Sequence, residues 1–143
     1  MNYDLCKLED VIAFTARAHA GQTDKAGEPY ILHPLRVMLR MTTRETRLAA
    51  VLHDVIEDTA YTADDLRALG CPEDVIQAVL ALSRRPDEDY FDFVRRAAAH
   101  PIARPVKLAD LEDNMNLTRL PHVTEKDRQR LARYREAWEL LRE

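Results

Sequence analysis

The stretch Ala50-Val51-Leu52-His53-Asp54-Val55-Ile56-Glu57-Asp58-Thr59 sets four ionisable residues into an otherwise apolar run. A helix turns about 100° per residue, so positions i, i+1, i+4 and i+5 share one side. His53, Asp54, Glu57 and Asp58 therefore make one polar stripe, and Leu48, Val51, Leu52, Val55 and Ile56 cover the rest of the surface. Burying such a stripe beside an apolar core costs several kcal/mol per ion unless something compensates the charge. A divalent metal compensates it. The adjacent His-Asp pair offers an imidazole nitrogen and a carboxylate oxygen, a mixture that suits Mn, Fe or Zn better than Ca or Mg. A solvated acidic helix end, with His53 merely packed, is the alternative that this stretch alone leaves open.

Composition bounds the rest. A chain of 143 residues fits one domain, here residues 1–143, and is long enough to build a proper core. Hydrophobic residues make up 46% and charged residues 32%, as in an ordinary soluble globular protein. No apolar run approaches the roughly 20 residues of a membrane span. The N-terminal residues Met1 to Cys6 lack the basic and apolar regions of a signal peptide. The expectation is a cytoplasmic protein with no membrane partner. Cys6 and Cys71 have no metal-type spacing and read as free thiols. A net charge of −4 argues against a nucleic-acid partner. It leaves room for a small phosphate ligand, because a metal and a few local bases reverse the sign of a pocket.

The pattern is all-α throughout, with about seven to nine helices. Only 3 glycines occur, and no alternating strand pattern of useful length is present. Residues 5–20 follow the 3.6-residue period and stop at Gly21. Pro34 opens a helix running to about Met41. Thr43 or Thr42 caps the helix that carries His53. Thr62-Ala63-Asp64-Asp65 resembles a capping box. Further helices are expected over residues 72–82, 87–99, 102 or 105 to 117, and 124–141.

Two further groups carry chemistry. In Val106-Lys107-Leu108-Ala109-Asp110-Leu111-Glu112-Asp113-Asn114, Lys107, Asp110 and Asn114 lie at i, i+3 and i+7 and share a face. Asp110 can complete a metal shell, Lys107 can hold a carboxylate or phosphate, and Asn114 can hydrogen-bond a ligand. A face with one local ion pair is the simpler reading of these three alone. In Pro29-Tyr30-Ile31-Leu32-His33-Pro34, His33 stands at a loop-to-helix junction whose rigid flanks suit a directed ligand. His33, His53, Asp54 and Asp110 together make two imidazoles and two carboxylates, a set that leaves coordination positions open for water and substrate.

The order His33 … His53-Asp54 … Asp110 resembles the HD superfamily of metal-dependent phosphohydrolases. The flanking text narrows the resemblance. Ala18-His19-Ala20-Gly21-Gln22, Lys25-Ala26-Gly27-Glu28-Pro29-Tyr30-Ile31-Leu32-His33-Pro34, His53-Asp54-Val55-Ile56-Glu57-Asp58-Thr59 and Lys107-Leu108-Ala109-Asp110 with Asn114 are similar to the hydrolase domain of RelA/SpoT proteins. The similarity covers about residues 5–120, and the last helix is expected to complete a compact HD-domain bundle. It implies a stand-alone hydrolase domain of the small alarmone hydrolase type. It implies a Mn²⁺ site, or that of another divalent transition metal, made by His33, His53, Asp54 and Asp110. Glu57 and Asp58 match the acidic pair that positions and activates the attacking water. Lys25 and Asn114 match positions near the nucleotide, and Lys107 joins them as a substrate-binding candidate. The implied partner is a phosphorylated nucleotide, a guanine alarmone such as ppGpp. His19 reads as local structure, and His100 and His122 as surface residues.

The chain also departs from that pattern. Gln22-Thr23-Asp24-Lys25 carries Asp24 where these hydrolases usually have an arginine against the guanine ring, and Ala109-Asp110-Leu111 carries Leu111 in place of another base. Arg36, Arg84, Arg85 and Arg104 are candidate replacements for the lost charge. Three readings stand. The first is Mn²⁺-dependent release of pyrophosphate from the 3′ position of guanosine 3′,5′-bis(diphosphate). The second is the same centre acting on another nucleotide or small phosphate ester, which Asp24 and Leu111 favour. The third is a nucleotide-binding module without catalysis, which the intact Glu57 and Asp58 disfavour.

Overall fold

The computed structural model describes residues 6–142, so the expected helix start at Leu5 lies outside the described residues. Nine α-helices follow one another among them: α1 (Leu8–Ala18), α2 (Leu32–Leu39), α3 (Arg44–Leu52), α4 (Val55–Asp58), α5 (Ala63–Ala68), α6 (Glu73–Ala81), α7 (Tyr90–Ala98), α8 (Ala103–Asn114) and α9 (Glu125–Arg142). A 3-10 turn, Leu117–Arg119, joins the last two. The all-α expectation holds; the sole extended pairing among described residues is an isolated bridge between Thr23 and Pro29. No helix is long and apolar enough to cross a membrane among these residues.

The centre of the fold is α3. Leu48, Ala49, Ala50, Val51 and Leu52 are all buried, so the second half of this helix is enclosed on every side. It packs against α1, α2, α6 and α8. Alanines at 49 and 50 have little side chain to hold the neighbours away. Thr43 caps α3: its hydroxyl accepts from the Thr46 N–H, and the Thr46 hydroxyl bonds back toward Thr43. The expected box at the start of α5 also forms, with Asp65 accepting from the Thr62 N–H at 2.7 Å. At α9 the same reciprocal pattern links Thr124 and Asp127.

The structure corrects the expected course of the central run. The polar stripe does not ride one continuous helix, because α3 ends at Leu52 and α4 begins at Val55. The reason is local competition for a carbonyl. The His53 Nδ1–H donates to Ala50 O at 2.6 Å, and this carbonyl would otherwise accept from the Asp54 N–H in a regular turn. Asp54 then leaves the helical region at φ −104° and ψ 0°. Burial along the stripe is therefore graded. His53 is fully enclosed and Asp54 half-buried, whereas Glu57 and Asp58 stand exposed at the rim.

Other boundaries shift for identifiable reasons. α7 starts at Tyr90 rather than Asp87, because the Asp89 carboxylate accepts from the Phe91 and Asp92 N–H groups. α8 stops at Asn114, and Leu117 belongs to the separate 3-10 turn. His100 is half-buried rather than a plain surface residue. Its Nδ1 accepts from the Ile102 and Ala103 N–H groups at the start of α8. A second apolar cluster of Val94, Leu111, Ala137 and Leu141 fastens α9 onto α7 and α8. Leu111 is fully buried there, so the residue at this position serves packing and does not line a cleft.

Candidate active site

Four elements converge on one point. α2 presents His33 from its first turn, the α3–α4 junction presents His53 and Asp54, and α8 presents Asp110. His33 Nε2 lies 2.8 Å from an Asp110 oxygen and 3.9 Å from Asp54. His53 Nε2 lies 3.0 Å from Asp54 and 3.4 Å from the same Asp110 oxygen. Neighbouring ligands of an octahedral ion, each at about 2.1 Å, stand about 3 Å apart. Three of the four spacings, 2.8, 3.0 and 3.4 Å, lie near that value, and the His33–Asp54 spacing of 3.9 Å is wider. The donor chemistry fits as well. The His53 Nδ1 is spent on Ala50 O, and its buried Nε2 makes no aligned hydrogen bond although the Asp54 carboxylate lies 3.0 Å away. His33 Nδ1 contacts Asp113 at 2.6 Å, which directs its Nε2 toward the other three residues. His33, His53 and Asp54 place donor atoms close enough together to hold a metal ion, and Asp110 contacts both histidines.

The electrostatics point the same way. Burial opposes charge on His53, yet Asp54 and Asp110 outweigh it and raise the imidazole well above its ordinary value. Burial likewise opposes ionisation of Asp110, but Lys107 and the two histidines hold it well below the usual carboxylate range. Imidazoles, carboxylates and Lys107 thus stabilise one another's charged forms within the cluster. Lys107 Nζ, itself buried, donates to Asp110 at 3.1 Å, and Asn114 donates to the other oxygen at 3.2 Å. The Tyr30 hydroxyl donates to Asp54.

The acidic pair sits one turn further on. Donor atoms of Asp54, Glu57 and Asp58 lie within 4.8 Å of one another. Burial and then Asp54 raise the Asp58 carboxyl to about 6. Burial also raises Glu57, although the Arg84 N–H donates to it at 2.7 Å and opposes the shift. Two clefts meet here. The smaller, of about 230 Å³, is lined by the carboxylates together with Arg84, Tyr90, Lys107 and Arg133. The larger, of about 340 Å³, runs from His33 past Lys25, Arg36, Arg119 and Arg130. Tyr30, His33, Asn114 and Tyr134 belong to both.

No known family model matches the chain. It is 31% identical over 121 residues to a guanosine-3′,5′-bis(diphosphate) 3′-pyrophosphohydrolase of Aquifex aeolicus (strain VF5), covering 76% of this chain and 17% of that protein. It is 30% identical over 146 residues to a GTP pyrophosphokinase of Myxococcus xanthus, covering 90% and 19%. With the bifunctional (p)ppGpp synthase/hydrolase SpoT of Escherichia coli (strain K12) it shares 43% over 67 residues, covering 44% and 10%. The chain spans less than a fifth of the length of these relatives. A solved structure of a metazoan ortholog of SpoT that hydrolyses ppGpp superposes with a TM-score of 0.78, at 24% identity, over 94% of this chain and 85% of that one. The chain has the HD-type helical fold.

Within this fold, the sequence-predicted residues divide by position. His33, His53, Asp54, Lys107, Asp110 and Asn114 meet in one cluster, and Glu57 and Asp58 adjoin it at Asp54 and line the same smaller cleft. Lys25 is exposed and lines the larger cleft, away from the carboxylate cluster. Of the candidate arginines, Arg36 and Arg84 line the clefts. Arg85 is exposed on the loop before α7, and Arg104 bonds to Leu141 O and Ala98 O. His19 is local structure as expected, buried with its Nδ1 on Gln22 at 2.9 Å.

Sequence reasoning missed several residues. Asp113 touches His33 and also accepts from Arg36 at 2.9 and 3.0 Å and from Arg119 at 3.5 Å. Its signal was present, since it lies three residues after Asp110 on one helical side. Tyr90, Arg130, Arg133 and Tyr134 arrive from α7 and α9, and nothing in their local spacing announces the cleft. The Asp113–His33 contact fixes ring orientation, so Asp113→Asn is expected to weaken Mn²⁺ binding about 10–100-fold, read by titration calorimetry. Unchanged affinity would show that His33 needs no such support.

Proposed function

We propose that this HD-type domain is a Mn²⁺-dependent phosphohydrolase that releases pyrophosphate from the 3′ position of guanosine 3′,5′-bis(diphosphate). The observation that carries the reading is the largely buried His33–His53–Asp54–Asp110 cluster with an acidic pair beside Asp54 in the same cleft. The curated names of the relatives support the substrate.

Bound by these four residues, Mn²⁺ supplies Lewis acidity that makes water a better nucleophile and offsets charge on phosphoryl oxygens. The remaining work falls to the chain. Glu57 accepts the proton of the attacking water, and its carboxyl, raised by burial, is suited to hold it. Asp58 orients that water. Lys107, seated on Asp110, offers positive charge toward the phosphate oxygens. Asn114 and Lys25 bind along the path that leads into the larger cleft, where the nucleoside lies.

A second reading, hydrolysis of a different phosphorylated nucleotide, is favoured by Asp24. Its carboxylate is committed to the loop backbone, accepting from the Ala26 and Glu28 N–H groups at 2.9 Å each. The position offers a base no stacking cation. A panel assay with Mn²⁺ separates the two readings. Guanosine 3′,5′-bis(diphosphate), other purine nucleotides and NADPH are supplied in turn, and the products are resolved by phosphorus NMR. The first reading expects pyrophosphate from the guanosine compound at the highest kcat/KM. A higher kcat/KM on another member selects the second reading, and no turnover of any member contradicts both.

A further inference from the structure

Four buried side-chain polar atoms among the described residues lack a hydrogen-bond partner: Thr15 Oγ1, His19 Nε2, His53 Nε2 and the Tyr90 hydroxyl. A buried polar group without a partner is unfavourable and calls for an explanation. The His53 nitrogen has one in the candidate metal centre. Tyr90 lines the same cleft as the carboxylate cluster, and its hydroxyl has no partner within the chain.

The ring is held in place. Tyr90 opens α7 directly behind the Asp89 cap. Phe91 and Phe93 meet it edge-on at 5.4 and 6.3 Å. The guanidinium groups of Arg133 and Arg84 lie 4.7 and 5.6 Å from the ring centre. Lys107, Asp110, Arg133 and Tyr134 act on the phenol electrostatically. Asp110, a carboxylate of the same cleft, already accepts from Lys107 and Asn114 and contacts His33, so it does not need the phenol. A cleft wall with three cations and an unspent O–H donor fits an anionic oxygen acceptor.

We infer that the Tyr90 hydroxyl donates a hydrogen bond to a phosphate oxygen of the bound substrate. This rests on the phosphohydrolase reading and adds to it a donor contributed by α7. Because the hydroxyl bonds to nothing in the free protein, its removal carries a distinctive signature. A structural hydroxyl loses stability when deleted, whereas one reserved for ligand does not.

The test compares the full wild-type chain with Tyr90→Phe. Thermal melting without ligand is expected to be unchanged or slightly raised. Calorimetric titration with inorganic pyrophosphate in the presence of Mn²⁺ is expected to show affinity falling about 10–100-fold, the equivalent of one hydrogen bond to a charged group. The kcat/KM on the nucleotide should fall by a similar factor. Equal pyrophosphate affinity in the two proteins, absent pyrophosphate binding by wild type, or a Tm lowered by several degrees in Tyr90→Phe would overturn the inference. If wild type binds pyrophosphate but hydrolyses no nucleotide, the phosphohydrolase reading fails, while the affinity comparison still decides the role of Tyr90.

Discussion

Replacing His53 with alanine, or Asp54 with asparagine, is expected to abolish measurable turnover and to weaken Mn²⁺ binding by more than about 100-fold. Loss of a direct donor exceeds the roughly tenfold to hundredfold effect typical of a supporting residue. The two variants act through different atoms. His53→Ala removes the imidazole whose buried Nε2 faces Asp54 and Asp110, together with the Nδ1 bond that shapes the α3–α4 break. Asp54→Asn keeps the shape of the side chain and removes its charge. His53 is fully enclosed, so its alanine variant also leaves a cavity beside Leu52 and Val55. Asp54→Asn separates metal loss from that packing loss, because its far-ultraviolet circular dichroism should match wild type. Calorimetry with Mn²⁺ and a product assay check both. Full metal affinity in Asp54→Asn would remove this carboxylate from the proposed centre.

Glu57→Gln is expected to show the complementary pattern. Its kcat should fall about 10²–10⁴-fold, the usual contribution of a positioned proton acceptor, while Mn²⁺ affinity stays within about threefold of wild type. The structure motivates the separation. Glu57 sits at the exposed rim of the cleft and takes the Arg84 N–H, whereas the proposed ligands lie deeper. Single-turnover kinetics measure the chemical step directly. A kcat unchanged by Glu57→Gln would shift the proton-accepting role to another group, with Asp58 the neighbouring carboxylate.

Much of this architecture was legible in residue order. The cap at Thr43, the box at Thr62 and the apolar periods placed most helices, because each depends on neighbours within one or two turns. The pairing of His33 with a distant His-Asp and a later Asp also pointed to one locus, and the folded chain brings these four side chains together. What was not legible depends on competition or on distance. The break between α3 and α4 arises because an imidazole takes a backbone carbonyl, and hydrophobic periodicity does not register that choice. His100 looked like surface for the same reason, since its bonds to the start of α8 are side chain to backbone. Tyr90 and Arg133 meet across the cleft from helices more than forty residues apart in the chain. Their roles appear only once α9 is laid on α7 through Val94, Ala137 and Leu141. Leu111, which read as a lost base beside the substrate, proved to be part of that same packing.

In the proposed mechanism His33, His53, Asp54 and Asp110 hold the divalent metal that powers phosphate hydrolysis. Diffraction from Mn²⁺-soaked crystals on the two sides of the manganese absorption edge tests it most directly. The account predicts one dominant anomalous peak within about 2.3 Å of both Nε2 atoms and of one oxygen each from Asp54 and Asp110. A principal peak elsewhere, or no peak at this cluster at saturating Mn²⁺, would contradict it.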